Sequence, residues 1–234
     1  MLVRRGVLLL VPLIAASSPA VERPLVLMVG DSTTEGVCAG CPPPPSASPA
    51  RALGLLRHRL PPGSRWRHLR ACSAGVGGST SGDWVRVRPA ICAFAGQGAR
   101  AGEDFGTRVL RRACARGDGL AAAARELAGE PALVLVTLGA NDVMNRVPAE
   151  EYLANLRVIV RTFAPAPVLV ATPFWSPQAQ RTALADLAVA LRRTELAHGP
   201  DFYAIRLPVD ASGVHLTPGG YAAAAALWLD LLPP

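Results

Sequence analysis

Residues 25–36 read Leu-Val-Leu-Met-Val-Gly-Asp-Ser-Thr-Thr-Glu-Gly. The stretch opens with five consecutive apolar residues, Leu25–Val29. A short unbroken apolar run is typical of a strand covered on both faces of a parallel sheet, whereas a strand with one solvated face alternates. Small and polar residues follow at once, so the chain should turn where the strand ends. We therefore expect Ser32 to lie just beyond the carboxyl end of a buried strand.

Strand-like and helix-like segments alternate along the rest of the chain. Three further apolar runs are candidate strands, and a weaker candidate precedes a glycine-rich turn: Leu133–Leu138, Val168–Thr172, Phe202–Leu207 and Arg67–Cys72. Apolar residues recur at helical spacing in five other segments: Ala50–Leu60, Thr107–Leu127, Ala149–Phe163, Pro177–His198 and Pro218–Leu232. The last has a clear start signal, with Thr217 as the expected N-cap and proline at the first helical position.

This alternation predicts an α/β fold, a single three-layer α/β/α sandwich around a mostly parallel five-stranded sheet in flavodoxin-like order. The length of 234 residues suits one domain with a substantial core. Residues 1–20 resemble a signal peptide, with a basic pair, a short apolar run and small residues at its end. We expect the folded domain to span residues 21–234 of a secreted or periplasmic protein without a stable membrane anchor.

The charged residues exclude several functions. The chain carries 24 basic residues, all arginine, and so has no lysine for a Walker A loop or a Schiff base. Residues 51–116 hold 13 arginines against Asp83, Glu103 and Asp104, which indicates either a solvated basic face or attraction to an anionic surface or substrate. Aromatic residues are sparse and do not interleave with these arginines in a stacking pattern, so we expect no nucleic-acid partner.

Five cysteines suit an oxidising compartment: Cys38, Cys41, Cys72, Cys92 and Cys114. The odd count leaves at least one thiol outside an intramolecular disulfide, and the sequence leaves the pairing open. Four prolines follow Cys38–Cys41, so a disulfide that staples a loop is favoured there over a redox motif. A structural zinc site would need four ligands, and no second Cys-x-x-Cys lies nearby.

Polar residues follow the predicted strands at the edge where parallel α/β sheets bind their ligands. They fall in four stretches: Val29–Gly36, Ser73–Thr80, Leu138–Asp142 and Asp210–Pro218. A serine hydroxyl is a weak nucleophile until a base accepts its proton, and His215 lies where it could reach Ser32. Asn141 and the glycine-rich turn could donate N–H groups to a developing oxyanion. Each feature alone is usually structural, but together they favour acyl transfer.

The motifs Gly30-Asp31-Ser32, Gly139-Ala140-Asn141-Asp142 and Gly213–Tyr221 (Gly-Val-His-Leu-Thr-Pro-Gly-Gly-Tyr) resemble the conserved blocks of the SGNH (GDSL-type) hydrolase superfamily. The resemblance spans almost the whole chain after residue 20, with the blocks in the family's order. It implies Ser32 as the nucleophile, His215 as the general base, and an oxyanion hole of the Ser32 N–H, the Gly78 N–H and the Asn141 amide. Gly78 fits the second block better than Gly75 or Gly77.

One position departs from the family pattern. The family usually places an aspartate three residues before the histidine, and this chain has Ser212 there. The nearest acid is Asp210, five residues before His215. Such a carboxylate orients the imidazole and stabilises its charged form. Asp210 could do this along a different loop path; otherwise a backbone carbonyl or Ser212 would orient His215 in a working dyad, or the site would have decayed.

The resemblance implies an exported serine esterase that acts on lipid, short-chain acyl or carbohydrate acetyl esters, without a metal or organic cofactor. We expect a monomer whose partner is a small-molecule or polysaccharide ester. Trp175 and the loop Cys38–Pro49 are candidate walls of the substrate pocket. Two alternatives use the same fold: an O-acyltransferase acting on a carbohydrate, and a non-catalytic carbohydrate- or surface-binding protein. A nucleotide-binding protein is disfavoured, because the glycine-rich turn lacks the third glycine of a dinucleotide fingerprint.

Overall fold

The computed structural model describes residues 23–36, 49–94, 104–176 and 181–233. Its sheet consists of β1 (Leu25–Gly30), β2 (Arg70–Ser73), β3 (Leu133–Thr137) and β4 (Val168–Val170). The strands lie in the order β2-β1-β3-β4 and every neighbouring pair is parallel. This is the flavodoxin-like order with β1 in the interior, and it brings the ends of β1 and β3 to one edge, where Gly30 lies beside Thr137.

Helices connect the strands and cover both faces of the sheet. In the described ranges they are α1 (Ser32–Glu35), α2 (Pro49–Leu56), α3 (Ser81–Val85), α4 (Phe105–Arg116), α5 (Leu120–Ala128), α6 (Ala140–Met144), α7 (Ala149–Phe163), α8 (Arg181–Arg192) and α9 (Pro218–Leu229). Three short 3₁₀ turns accompany them: Arg57–Arg59, Arg65–His68 and Ala90–Phe94. None of the helices in these ranges is both long and apolar enough to cross a bilayer.

The hydrophobic core has two halves because successive residues of a strand point to opposite faces. Leu27 and Val29 of β1 pack with residues of α4, α5, α7 and α8. Val26 and Met28 pack on the other face with α2 and α9, where Trp228 of α9 is fully buried. Burial on both faces explains why β1 reads as a continuous apolar run, as the sequence predicted.

The predicted fifth strand, Phe202–Leu207, is wrong, and the sheet has four strands in the described part of the chain. Residues 202–204 form a turn instead. Asp201 Oδ1 accepts a hydrogen bond from Ala204 N at 3.2 Å, and Thr172 Oγ1 accepts one from Tyr203 N at 2.9 Å. These side chains accept hydrogen bonds from N–H groups that a strand would use in its ladder. In the described part of the chain, β4 has an isolated bridge on this side, between Val170 and His198.

Other sequence predictions need smaller corrections. The helix predicted over Thr107–Leu127 is two helices, because α4 ends at Arg116, where Gly117 caps it, and α5 begins at Leu120. The helix of Ala149–Phe163 has the predicted bounds, and Thr217 caps α9 by accepting a hydrogen bond from Gly220 N at 3.1 Å. The weak strand candidate near Arg67–Cys72 is β2, shifted to begin at Arg70.

Cysteine pairing is partly decided by the fold. Cys92 and Cys114 form a disulfide that ties the 3₁₀ turn Ala90–Phe94 to α4, whereas Cys72 on β2 is a half-buried free thiol. The predicted signal peptide, the Cys38–Cys41 pair and most of the Cys38–Pro49 loop lie outside the described residues.

Candidate active site

Ser32 and His215 meet at the carboxyl end of β1. Ser32 is the first residue of α1, and Asp31 caps this helix by accepting a hydrogen bond from Thr33 N at 2.9 Å. His215 lies just before α9, and its Nε2 is 3.0 Å from Ser32 Oγ. Both side chains are half-buried. This is hydrogen-bond distance between a hydroxyl and a base, the geometry that proton transfer from serine requires.

A tight hairpin carries His215 and places Asp210 opposite it. Val209 and Leu216 form an antiparallel bridge, and Asp210 N donates to His215 O at 2.8 Å. Residues that face each other across such a pair have Cβ atoms roughly 4.5–5.5 Å apart and on the same side. Asp210 Oδ1 accepts hydrogen bonds from the backbone N of Ser212, at 3.0 Å, and from the Ser212 hydroxyl. Asp210 therefore lies beside His215, and Ser212 contacts this carboxylate.

The glycine-rich turn after β2 lies against Ser32. A Cβ built on Gly77 would lie 3.7 Å from Ser32 Cβ and 2.7 Å from Glu35 Oε2, so a side chain there would contact Ser32 and displace the Glu35 carboxylate. Gly78 has φ of +80°, a left-handed conformation that favours glycine, and it is exposed. The structure thus brings Gly78 to the same edge of the sheet as Ser32.

Asn141 joins this turn from the neighbouring strand. It lies in the first turn of α6, directly after β3, and its Nδ2 donates to Ser79 O at 3.0 Å. An asparagine amide has two N–H donors, so one remains to serve a ligand while the other holds the turn. Asn145 Nδ2 donates to Asn141 O at 2.8 Å and steadies the same residue from the next turn.

A buried polar network beneath the turn was not predicted from the sequence. Asp142 is fully buried and accepts hydrogen bonds from Ser81 N at 3.0 Å and from Ser81 Oγ at 2.5 Å. Asn155 Nδ2 on α7 donates to the same Ser81 Oγ at 3.0 Å. The network ties the residue after Asn141 to the start of α3. Asn155 carried a signal for it, since it is a polar residue on the apolar face of a predicted helix.

Neighbouring contacts hold the rest of this turn. Thr80 and Asp83 form a capping box at the start of α3, and Asp83 Oδ1 also accepts from Ile91 N at 3.0 Å. Trp84 is fully buried and its Nε1 donates to Ser79 Oγ at 3.1 Å. Residues 79–81 are each bound through a side chain, so the backbone beside Gly78 is held in one conformation.

Burial raises the pKa of two carboxylates next to the site. It raises the pKa of Asp31 from 3.8 to about 6, and the negative charge of Asp142 adds to the rise while the Thr33 N–H opposes it. Burial also raises the pKa of Asp142, against the hydrogen bonds from Ser81. The pKa of the Tyr152 phenol is raised well above its ordinary value by burial and by both carboxylates. These groups lie behind the Ser32 turn, where water is excluded.

A cavity of about 320 Å³, lined by both polar and apolar residues, borders the turn on the side of Gly78. Thr80, Arg86, Asn145 and Arg146 are among the residues that line it. Trp175, predicted as a pocket wall, is half-buried and has the Arg206 guanidinium 5.0 Å above its ring. No group of three or more potential metal ligands occurs in the described ranges.

The described arrangement contains the parts of an acyl-transfer centre. A hydroxyl lies within reach of an imidazole, and the Gly78 turn and Asn141 lie at the same edge of the sheet, where they carry N–H donors. Preorganised donors of this kind stabilise the negative charge that develops on a carbonyl oxygen under attack. The residues predicted separately from four stretches of sequence are thus brought together by the ends of β1, β2 and β3 and by the hairpin of His215.

Solved structures with the same fold include three bacterial proteins. The first is a lipase/acylhydrolase from Enterococcus faecalis, with a TM-score of 0.58 and 18% identity over 87% of this chain and 92% of that chain. The second is an acetylxylan esterase from Geobacillus stearothermophilus, with a TM-score of 0.52 and 18% identity over 88% of this chain and 93% of that chain. The third is a family 3 carbohydrate esterase from Clostridium thermocellum, with a TM-score of 0.54 and 15% identity over 89% of this chain and 94% of that chain. At these identities the likeness establishes the α/β fold. No curated protein matches the chain.

The family of the chain is shown by a match that covers most of its sequence. The model of the GDSL-like lipase/acylhydrolase family matches residues 28–223, from β1 into α9. The match contains Ser32, Asn141 and His215 and all four strands of the sheet except the first residues of β1. The chain belongs to the GDSL-like lipase/acylhydrolase family.

Proposed function

We propose that this protein is an exported serine esterase that hydrolyses carboxylic esters through an acyl-enzyme. The observation that carries the proposal is the 3.0 Å approach of His215 Nε2 to Ser32 Oγ, beside the N–H donors of the Gly78 turn and Asn141. His215 takes the proton of Ser32 as Oγ attacks the ester carbonyl, and the same proton then passes to the departing alcohol. Water, deprotonated by His215, attacks the acyl-enzyme, and the carboxylic acid leaves as Ser32 regains its proton.

The oxyanion is held by the Ser32 N–H, the Gly78 N–H and the free donor of the Asn141 amide. The Ser32 N–H belongs to the first turn of a helix, where N–H groups have no intrahelical acceptor. The hydrogen bond from Asn141 to Ser79 O links two of these donors, so they move as a unit. The buried contact between Asp142 and Ser81 fixes that unit to the body of the protein.

Asp210 takes the orienting role in this proposal, in place of the aspartate that the family usually has at the position of Ser212. Its support is the hairpin, which pairs Asp210 with His215 through the backbone. A carboxylate so placed stabilises the imidazolium that forms when Ser32 loses its proton. Ser212 holds the carboxylate from behind, through its N–H and its hydroxyl.

We propose small acyl esters of carbohydrates as the substrate class. The cavity beside Gly78 is lined by apolar residues, among them Ile91, Val147 and Pro148, and also by polar and charged ones: Thr80, Arg86, Asn145, Arg146 and Glu151. The second set supplies hydrogen-bonding partners for a hydroxyl-rich alcohol. Two of the proteins that share the fold are named as an acetylxylan esterase and a carbohydrate esterase, which agrees with this choice. Export agrees with the disulfide between Cys92 and Cys114, a bond typical of oxidising compartments.

The test is hydrolysis by the purified protein and by Ser32→Ala. We expect p-nitrophenyl acetate and acetylated xylan to be hydrolysed by the parent protein alone, with activity falling as the acyl chain lengthens. A fluorophosphonate should label the parent and leave Ser32→Ala unlabelled. Release of acetate that is unchanged in Ser32→Ala would refute the mechanism. Transfer of acetyl to an added sugar without net hydrolysis would instead identify an acyltransferase.

A further inference from the structure

A second cavity lies at the outer edge of the sheet, away from Ser32 and His215. Its volume is about 540 Å³, and it follows β2, the terminal strand in the order β2-β1-β3-β4. Leu25 and Arg70, which are paired at the starts of β1 and β2, line one part of it. Ser32 follows the carboxyl end of β1, so this cavity extends to the opposite end of the strands.

Helices from both layers form the walls. Arg51 and Gly54 of α2 line one side, and Phe105 and Arg108 of α4 line the other. These helices pack on opposite faces of the sheet, and β2 lies between them. Within the described ranges no strand pairs with the outer side of β2, so the cavity is a groove along the open edge of the sheet.

The rim of the groove is cationic. Arg51, Arg57, Arg70 and Arg108 all line it and all are exposed, and none of its twelve lining residues, which belong to the described ranges, carries a carboxylate. Arg57 is held in place, since its Nη1 donates to Leu69 O at 3.1 Å. A cleft lined by one sign of charge focuses its field and attracts the opposite charge.

The floor of the groove is apolar. Leu127 is 38% exposed although it is a large hydrophobic residue, and it lines the groove together with Leu25 and Phe105. The Arg108 guanidinium lies 5.2 Å from the Phe105 ring centroid, so the cationic rim directly borders the apolar floor. An apolar body would bury the floor while an anionic head met the guanidinium groups, which pair well with carboxylates and related anions.

We propose that this groove is a binding site for an amphiphilic organic anion, a carboxylate or sulfonate with an apolar body. Charge complementarity selects the head group, and the exposed apolar floor selects the body. Nothing in the proposed ester hydrolysis requires this site, so it stands or falls separately from the role of Ser32.

Cys72 supplies a local reporter. It is a free thiol that lines the groove, and burial raises its pKa while the charges of Arg108 and Arg70 oppose that rise, so both guanidiniums lie near the thiol. Cleavage after Arg70 and Arg86 yields a peptide in which Cys72 is the only cysteine. Alkylation of that peptide can therefore be followed by mass spectrometry, whatever happens at the other cysteines.

The probe is octanoate, compared with acetate, which lacks the apolar body, and octan-1-ol, which lacks the charge. We expect octanoate to bind and to slow alkylation of Cys72, and acetate and octan-1-ol to do neither at the same concentration. Arg108→Gln and Arg70→Gln should each weaken octanoate binding about fivefold or more, while the distant exposed Arg161→Gln should not. Added salt should weaken binding as well, because the head group is attracted by exposed charges.

Gly54 allows the groove to be filled without strain. A Cβ at this position meets nothing within 4 Å, and the residue lies in a helix. Gly54→Leu should abolish octanoate binding and protect Cys72 without ligand, whereas the matched Gly54→Ala should retain binding, and thermal unfolding would verify that both fold. Equal protection by acetate, equal binding in Gly54→Leu, or loss of binding only in Ser32→Ala would overturn the proposal.

Discussion

Asp31→Asn should stabilise the protein at neutral pH, although Asp31 caps the helix that carries Ser32. Burial raises the pKa of Asp31 from 3.8 to about 6, so an ionised Asp31 costs the native state about 3 kcal/mol at 1.36 kcal/mol per pH unit. Between these two pKa values the native state holds more protons than the unfolded chain, and the free energy of unfolding therefore falls as pH rises. An asparagine oxygen can still accept the hydrogen bond from Thr33 N, and the cost of the charge is removed.

The assay is urea unfolding followed by circular dichroism at several values between about pH 4 and pH 7.5, the window that the two pKa values define. The stability gain of Asp31→Asn over the parent should be near zero at about pH 4, grow through pH 6, and level off at up to about 3 kcal/mol. Asp186→Asn, at an exposed position on α8, is the matched control and should show no such trend. A gain that is independent of pH, or a loss that deepens toward neutral pH, would refute the reasoning.

Three further predictions concern the catalytic step. Asn141→Ala should lower kcat by on the order of 10²- to 10³-fold with little change in KM, because the amide stabilises the oxyanion with one N–H and holds the turn at Ser79 with the other. Steady-state kinetics check this, and a loss below tenfold would contradict it. Ser81→Ala should lower kcat about tenfold, because it removes the hydrogen bond from Ser81 Oγ to Asp142 and the acceptor of Asn155 Nδ2, while the bond from Ser81 N to Asp142 stays. Ser81→Thr should recover part of the loss, and an unchanged kcat in a folded Ser81→Ala would remove the positioning role. Asp210→Asn should lower kcat more than tenfold, and adding Ser212→Asp should restore part of it; full activity in Asp210→Asn would show that another group orients His215.

The local sequence pattern was sufficient to predict an element where the signal lies within that element. The apolar run of residues 25–29 predicted β1 because burial on both faces leaves no polar side to the strand. The apolar periodicity of Ala149–Phe163 predicted α7 with its bounds, and Thr217 with Pro218 predicted the start of α9. The family blocks could be recognised for the same reason, since each is a short contiguous stretch.

The sequence was insufficient to predict the structure of a segment or a cysteine that could pair with more than one distant part of the chain. Phe202–Leu207 has the apolar content of a strand, but Thr172, which is distant in the chain, accepts the N–H of Tyr203 and helps to hold a turn. The disulfide of Cys92 with Cys114 was one of several possible pairings of five cysteines. Both outcomes depend on distances between residues that are set only when the layers pack.

The sequence by itself determined the fold class and indicated the candidate catalytic residues, because alternating apolar periodicities and contiguous motifs carry that information. Only the tertiary structure decided how those residues are held. It placed His215 at 3.0 Å from Ser32 across 183 positions of chain, paired Asp210 with His215 in a hairpin, and buried Asp142 against Ser81. Hydrogen bonds of 2.5–3.0 Å require atomic registration between separate elements, and local sequence preferences do not specify that registration.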